Sequence, residues 1–264
     1  MPSQFVSCNL YGGLGNQLFQ IFTTIAYSLE HQIQFLFEYS PNLGKRSTYW
    51  NSLLVGISEH VVPNIPETNI LVNQGTHGFV QLPAPLPNQC ITLNGYFQSY
   101  LFFDAHFETI MNMLEIERKP YNSTHISLHF RRGDYKGLQE CHPIMGMDYY
   151  VDALNYILSQ DSEIDCVQYY CEDEDLDDVE RDVEILKTEF RGLHFMRHSE
   201  DADWKEMLSM SYCKHNIIAN SSFSWCGAYM NQNPDKTVCY PATWFGPLIR
   251  ENTDTMFPEK WIKI

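Results

Sequence analysis

The sequence predicts two doubly wound α/β domains, and three observations carry that prediction. Near the start, a strand-like run from Phe5 to Leu10 ends in the turn Gly12-Gly13-Leu14-Gly15. A helical pattern from Asn16 to Glu30 follows, then a second strand-like run from Ile33 to Phe37. Strand, glycine turn, helix and strand in that order open a parallel α/β domain. The second observation is a regular alternation of strand and helix beyond Glu117-Arg118-Lys119-Pro120. The third is composition: 264 residues with 44% hydrophobic and 19% charged side chains suffice for two packed cores rather than a disordered chain.

The elements can be justified in turn. Pro63, Pro66, Pro83, Pro85 and Pro87 interrupt the region from Tyr39 to Cys90, so loops and short strands are expected there. Helix returns from Ser99 to Glu117. In the second half the expected strands are Ile126 to Phe130, Cys166 to Cys171, Leu193 to Phe195, Asn216 to Ala219 and Thr237 to Tyr240. Helices are expected at Asp148 to Ser159, Glu174 to Glu189, Asp203 to Lys214 and Ser224 to Asn231. Five short strands separated by helices describe a second doubly wound sheet. The expected domains are 1–119 on the N-terminal side and 120–243 on the C-terminal side, with 244–264 as a tail folding back on the first domain. Ligands of open α/β sheets bind beyond the carboxyl ends of the strands.

Charge and cysteine usage exclude several classes. The formal charge is −16, and Glu172 to Glu184 alone holds nine acids and one arginine. That block reads as the solvated start of a helix, where acids meet the positive helix terminus. Nothing in it fixes a metal-ligand spacing, so no metal site is expected. No basic stripe exists to replace the counterions of nucleic acid, so no nucleic-acid partner is expected. The eight cysteines form no C-x-x-C pair and several fall in strand-like apolar runs, which favours buried free thiols over a disulfide framework. Met1 to Leu10 has no basic leader pattern, and the segment Leu18 to Leu29 is broken by Gln20, Thr23, Thr24 and Ser28. The expectation is a cytoplasmic chain with no integral membrane segment; the sequon Asn122-Ser123-Thr124 then reads as chance.

Three turns at expected strand ends carry the chemistry. The glycine turn matches no G-x-G-x-x-G fingerprint, so it gives little support to a dinucleotide site. The run His129-Phe130-Arg131-Arg132-Gly133-Asp134 places two guanidinium groups together at a strand end in an acidic protein. Arginine's fork of N–H donors matches phosphate oxygens, and a salt-bridged turn is the alternative reading. Asn220-Ser221-Ser222-Phe223-Ser224 directly precedes a helical stretch. Its hydroxyls are ordinary helix caps, yet the same geometry directs uncapped backbone N–H groups at an anion. Together the two turns read as a pyrophosphate clamp that needs no metal. Fixed positive charge at a departing nucleoside diphosphate lowers the barrier to group transfer.

These motifs resemble those of glycosyltransferase family 11, the alpha-1,2-fucosyltransferases. Gly12 to Gln20 matches G-G-x-G-N-Q-x-F-Q. His129, Arg131, Arg132 and Asp134 match H-x-R-R-x-D. Asn220 to Ala228 matches N-S-S-F-S-W-W-G-A, with Cys226 where a second tryptophan is usual. Met210 to Ala219 is also similar to the family, and the matches span residues 8 to 231.

The resemblance implies a GT-B fold, two Rossmann-like domains facing a cleft, with GDP-L-fucose as donor, held mainly by the C-terminal domain. It implies inversion at the fucose anomeric carbon, transfer to the 2-hydroxyl of a terminal galactoside of a glycan, and no cofactor. Arg131 and Arg132 would lie by the pyrophosphate, with Arg132 decisive. His129 would touch the nucleotide or hold the loop. Asn220, Ser221 and Ser222 would form the phosphate-facing turn, and Asp201 or Asp203 would read the guanine N1 and N2 protons or cap a helix. Gly13, Asn16 and Gln17 would shape the facing wall near fucose or acceptor. Asp134 is the nearest candidate for the catalytic base, but an ion pair with an arginine would make it a poor one, and orienting the arginine is the equal alternative. Trp204, Trp244 and Trp261 read as core or interdomain anchors. Another GDP-sugar such as GDP-mannose, another linkage, or a glycan-binding protein without catalysis are the competing readings.

Overall fold

A computed structural model describes residues 4–68, 70–75, 78–117 and 119–264, and the chain divides into two units. The first comprises residues 1–118 and 251–258; the second comprises 119–250 and 259–264. Of the tail expected over 244–264, therefore, only the middle lies with the first unit. Residues 259–264 lie in the second because they carry an edge strand of its sheet.

In the first unit, β1 (Phe5–Cys8) is buried along its whole length. It pairs in parallel with β2 (Gln34–Phe35) on one side and with β4 (Ile91–Asn94) on the other. β3 (Ile70–Asn73) extends the sheet beyond β4, giving the order β2-β1-β4-β3. The helix α1 (Leu14–His31) joins β1 to β2 and buries 14 of its 18 residues. The buried set includes Gln17, Gln20, Thr23, Thr24 and Ser28 beside the apolar residues, and Gln20 and Thr24 are satisfied within the unit. The strand expected at Ile33 to Phe37 splits: Phe35 ends the pairing with β1, and Phe37–Glu38 pairs instead with Val61–Val62.

The helix expected over Ser99 to Glu117 is shorter. Two single turns at Tyr100–Phe102 and Asp104–His106 precede α2 (Phe107–Met113). Phe103 breaks the run with φ −141° and ψ −5°, and it is 1% exposed. Its ring packs edge-on against Phe19 and Phe22, with centroids 5.8 and 5.4 Å away. Burial of that ring outweighs the local helical preference of a short segment.

The second unit contains β5 (Asn122–His129), α3 (Met147–Gln160), β6 (Cys166–Tyr170), α4 (Leu176–Glu189) and β7 (His194–Arg197) in sequence. They are followed by α5 (Asp203–Ser211), β8 (Cys213–Ile217), α6 (Ser222–Met230), β9 (Val238–Tyr240) and β10 (Ile262–Lys263). The sheet order is β7-β6-β5-β8-β9-β10 and every pairing is parallel. Successive strands run outward from β5 to one edge, and then from β8 to the other. This is the Rossmann order, with its topological switch point between β5 and β8. The sixth strand was not expected, since two residues next to Trp261 carry no readable period.

Helices cover the sheet where apolar stripes exist. Despite its acidity, α4 buries Val179, Val183 and Leu186 at helical spacing. They join Ile126, Leu128, Ala153, Leu154, Ile157 and Val167 in one core. Seven of the eight cysteines are buried and Cys141 is partly so; none is in a disulfide.

A buried polar group ties β8 to β5 at the switch point. Asn216 is fully buried and its Nδ2 donates to Ser127 Oγ at 2.7 Å and to the Met210 carbonyl at 2.8 Å. Its Oδ1 accepts from Asn231 Nδ2 at 2.8 Å. Every partner is then satisfied, and such a network holds one strand register. Replacing Asn216 by Ala leaves one N–H of the buried Asn231 amide and the Met210 carbonyl without these partners, while Asn231 keeps its bonds to Cys213 and Asn233. We expect a loss of about 2–3 kcal/mol in unfolding free energy, read from urea denaturation of the two proteins.

Candidate active site

The arginine motif occupies the turn after β5, on the switch-point side of the second sheet. Two adjacent tyrosines at the start of α3 peg the strand ends that meet there. Tyr150 Oη donates to the His129 carbonyl at 3.2 Å, while Tyr149 Oη donates to the carbonyls of Ile218 at 2.6 Å and Cys239 at 3.1 Å. The ends of β5, β8 and β9 are thus held by one helix.

Beyond His129 the turn is built on ion pairs. Arg131 Nη1 donates to Glu172 and its Nη2 to Asp134, with the guanidinium 4.9 Å above the Tyr135 ring. Arg132 Nη2 donates to Asp182 on α4. Its other donors, Nε and Nη1, have no partner among the described residues. Gly133 N–H donates to the buried Asp175 at 2.5 Å, and Lys136 pairs with Asp175 at 2.7 Å and Asp178 at 2.9 Å. Gly133 has φ +33°, and a Cβ there would run into the Glu172 carboxylate. The positive φ favours glycine there, whereas the Glu172 carboxylate is the end of a flexible side chain that can shift.

These contacts correct the reading of the acidic block. Glu172, Asp175, Asp178 and Asp182 do not simply solvate a helix start; they are the countercharges of the arginine turn. Asp173 does the same for Arg197. Isolated spacing could not reveal this, because the partners lie about 40 to 50 residues away.

The serine turn follows β8, the strand next to β5. Its Ser221 is 7% exposed and caps α6, with Oγ accepting the Phe223 N–H at 3.3 Å. Capping one N–H leaves others of the first helical turn for an anion. Ser222 is half-buried beside it. Asn220 braces the turn with its amide nitrogen, while its buried Oδ1 has no partner among the described residues. Its Nδ2 donates to the carbonyls of Pro143 at 2.9 Å and Trp244 at 3.1 Å, so the side chain braces two neighbouring loops. Tyr135 Oη donates to the Asn220 carbonyl at 3.1 Å and links the arginine turn to the serine turn. The two turns thus form one local structure, and Tyr135, stacked on His142 at 4.8 Å, is a site residue that the sequence reading missed.

His129 lies between them, 8% exposed, with its ring centroid 5.7 Å from that of Phe223. Burial, reinforced by the Arg131 charge, pushes its pKa down to about 3, so it stays neutral at working pH. Its buried Nδ1 has no partner among the described residues. A neutral imidazole can exchange a hydrogen bond with a ligand but adds no charge.

Asp201 and Asp203 sit on the surface at the start of α5. Asp201 pairs with Lys205 at 2.6 Å and is held below the usual carboxylate range by it; Asp203 accepts the Trp204 N–H at 2.8 Å. They follow β7, two strands from the arginine turn on the same edge. Among the tryptophans, Trp244 and Trp261 are buried, whereas Trp204 is half-buried beneath Lys205. Trp225 stacks on Tyr229 and packs on Trp261, and Cys226 is 1% exposed in the same helix.

In the first unit the glycine turn is a braced loop. Gly13 starts α1, its carbonyl accepting the Gln17 N–H at 3.0 Å. Gln17 is 1% exposed and its Nε2 donates to the carbonyls of Gly12 at 3.0 Å and Ser47 at 2.9 Å. Gln20 holds both the N–H and the carbonyl of Tyr11. Asn16 Oδ1 accepts from Gln98 at 2.7 Å. Gln17 therefore shapes the loop from inside. Among the described residues, no group of three His, Cys, Asp or Glu side chains could hold a metal ion. No helix among them is long and apolar enough to cross a membrane.

The Tyr135 link makes a direct test. Tyr135→Phe removes one hydrogen bond between the turns and leaves the ring under Arg131. We expect a stability loss of about 1 kcal/mol, read from urea denaturation.

Comparison with known proteins places the chain. The family model described as glycosyl transferase family 11 matches residues 91–264. The O-antigen biosynthesis glycosyltransferase WbnK of Escherichia coli is 29% identical over 194 residues, covering 65% of this chain and 60% of that protein. An alpha-1,2-colitosyltransferase of Escherichia coli is 26% identical over 186 residues, covering 64% and 61%. The chain thus spans about three fifths of the length of these curated relatives. Among solved structures, POFUT1 in complex with GDP-fucose gives a TM-score of 0.47 at 9% identity, covering 90% of this chain and 97% of that one. Arabidopsis thaliana FUT1 in complex with GDP gives 0.46 at 10% identity, covering 90% and 70%. With two Rossmann-like α/β units and a family match over most of its length, the chain belongs to glycosyl transferase family 11.

Proposed function

We propose that the protein is an inverting alpha-1,2-fucosyltransferase that moves L-fucose from GDP-L-fucose to the 2-hydroxyl of a terminal galactoside. One observation carries the reading: the arginine turn, in which Arg132 Nε and Nη1 have no partner among the described residues, and the start of α6 follow adjacent strands at the switch point. Ligands of this sheet order bind there, and both groups are donors suited to a diphosphate. Family membership supports the sugar and the linkage, and the relative named for alpha-1,2 transfer supports the linkage further.

The chemistry follows from the charge that develops. The acceptor hydroxyl oxygen attacks the anomeric carbon on the face opposite the diphosphate, and its proton passes to solvent as GDP departs. As the C–O bond to the β-phosphate breaks, negative charge gathers on the departing oxygen. Arg132 meets that charge with fixed N–H donors, and the α6 N-terminus holds the neighbouring phosphate oxygens. A missing donor of this kind costs about 3 kcal/mol in the transition state, roughly a hundredfold in rate. We assign Asp134 the orienting role, since its carboxylate holds Arg131. Asp201 and Asp203 remain the proposed readers of guanine, Asn16 a contact of the sugar, and Ser221 and Ser222 contacts of phosphate. The reading places the enzyme in the cytoplasm, where nucleotide sugars are met without secretion.

A second reading has one observation in its favour. One relative of the chain is named as an alpha-1,2-colitosyltransferase, so the same linkage with another GDP-sugar is the alternative.

A single assay tests both the donor and the clamp. Nucleotide release is measured in EDTA with GDP-fucose, GDP-mannose and UDP-galactose, each with lactose present. We expect release from GDP-fucose alone, inhibited far better by GDP than by UDP. Arg132→Lys keeps the charge but loses the planar fork; we expect kcat to fall about a hundredfold or more with Tm nearly unchanged. Equal inhibition by UDP, or near wild-type turnover in Arg132→Lys, would overturn the reading.

A further inference from the structure

Three asparagines end three adjacent strands of the first sheet. Asn9 follows β1, Asn94 ends β4 and Asn73 ends β3. Asn73 lies opposite Asn94 in the register, and the Asn9 N–H donates to the Leu93 carbonyl at 3.0 Å. The row therefore runs straight across the carboxyl edge of the sheet. Asn9 Nδ2 donates to Asn94 Oδ1 at 3.0 Å, and Asn94 Nδ2 donates to Asn73 Oδ1 at 2.8 Å. A carboxamide offers two N–H groups and two lone pairs, so the ladder leaves much of its capacity unused. Among the described residues, the Asn9 Oδ1 and the Asn73 Nδ2 have no partner, and Asn9 and Asn73 are exposed. Asparagine is disfavoured in strands, and three in register are not what sheet formation selects.

The segment after β4 is strained beside this ladder. Phe97 is fully buried with φ +52°, a left-handed conformation that bulky side chains avoid. Gln74 Oε1 accepts its N–H at 2.7 Å, and the ring packs edge-on to Phe102 at 5.3 Å. A Cβ on Gly95 would come within 2.7 Å of that same Gln74 oxygen, so the turn depends on glycine there. The outcome is that Tyr96 is set edge-on to Tyr11, with centroids 4.7 Å apart. Strain retained by surrounding contacts is a pointer to function at the groups it positions.

We propose that Asn9, Asn73 and Asn94, with Tyr11 and Tyr96 beside them, form a subsite for a neutral oligosaccharide. It would hold the acceptor glycan, a role that rests on the transferase reading above. Vicinal sugar hydroxyls each donate and accept, which matches a ladder with a donor end and an acceptor end. The tyrosines add apolar surface for the C–H faces of a pyranose while keeping a polar tip. No member of the group is charged, so an anionic ligand finds no countercharge among them.

The test separates this subsite from the transferase reading. Saturation-transfer NMR with lactose needs no nucleotide sugar and no turnover. We expect transfer to lactose in the wild type, and lactose affinity about tenfold or more lower in Asn94→Ala and in Asn73→Ala. Asn73 is the exposed end of the ladder, so its variant keeps the test valid if Asn94→Ala misfolds; circular dichroism reports that. No transfer to lactose in the wild type, or unchanged transfer in the folded variants, would overturn the subsite. Turnover of GDP-fucose onto lactose with an unchanged lactose KM in both variants would also overturn it while leaving the transferase. Ladder-dependent lactose binding without turnover of any GDP-sugar would support the subsite and overturn the transferase.

Discussion

The pairing of the β5 turn with the acidic start of α4 is the interaction on which the rest depends. Arg131, Arg132 and Lys136 stand within a few residues of one another, and Asp134, Glu172, Asp175, Asp178 and Asp182 hold them. The carboxylates outnumber the cations, so the turn does not attract a diphosphate by net charge. What it offers is direction. Asp182 fixes Arg132 through Nη2, and removing one partner from such a part-buried pair is costly. Binding by aimed donors is the arrangement that lowers a barrier, since donors fixed beforehand need no reorganisation as charge develops.

The fold supplies the second half of that geometry. Parallel pairing of β5 with β8 places the arginine turn beside the serine turn, and Asn216 holds the two strands in register. Tyr149 and Tyr150 then fix the carbonyls at the strand ends, and Tyr135 joins the turns across them. In the first unit the glycine turn is rigidified by the same means. Buried amides of Gln17 and Gln20 replace the secondary structure that the loop lacks.

Much of this was legible in the sequence, and the exceptions have physical causes. The second sheet could be read because its strands are short, apolar and separated by periodic helices. The arginine and serine turns could be placed at strand ends for the same reason. The bracing of two loops by Asn220 Nδ2 was not legible, because Pro143 and Trp244 lie 77 and 24 residues away in sequence. The acidic block was read as solvated because ion pairs across 41 and 50 residues leave no local pattern. Its excess of nine acids in thirteen positions, facing an arginine pair elsewhere in the chain, was the signal available. The strands Ile70–Asn73 and Ile91–Asn94 were hidden by a proline-rich approach, and with them the asparagine row. Residues at the same register on three strands are distant in sequence, so no spacing rule could assemble them.

The central claim is that the donor's diphosphate sits between the turns after β5 and β8. Amide hydrogen exchange with and without GDP tests it most directly, because it reads position without requiring turnover. GDP is expected to slow exchange at residues 129–136 and 219–226, and Arg132→Lys to weaken this protection greatly at the same GDP concentration. Protection confined to other segments, or protection of these two turns that is unaffected by Arg132→Lys, would contradict it.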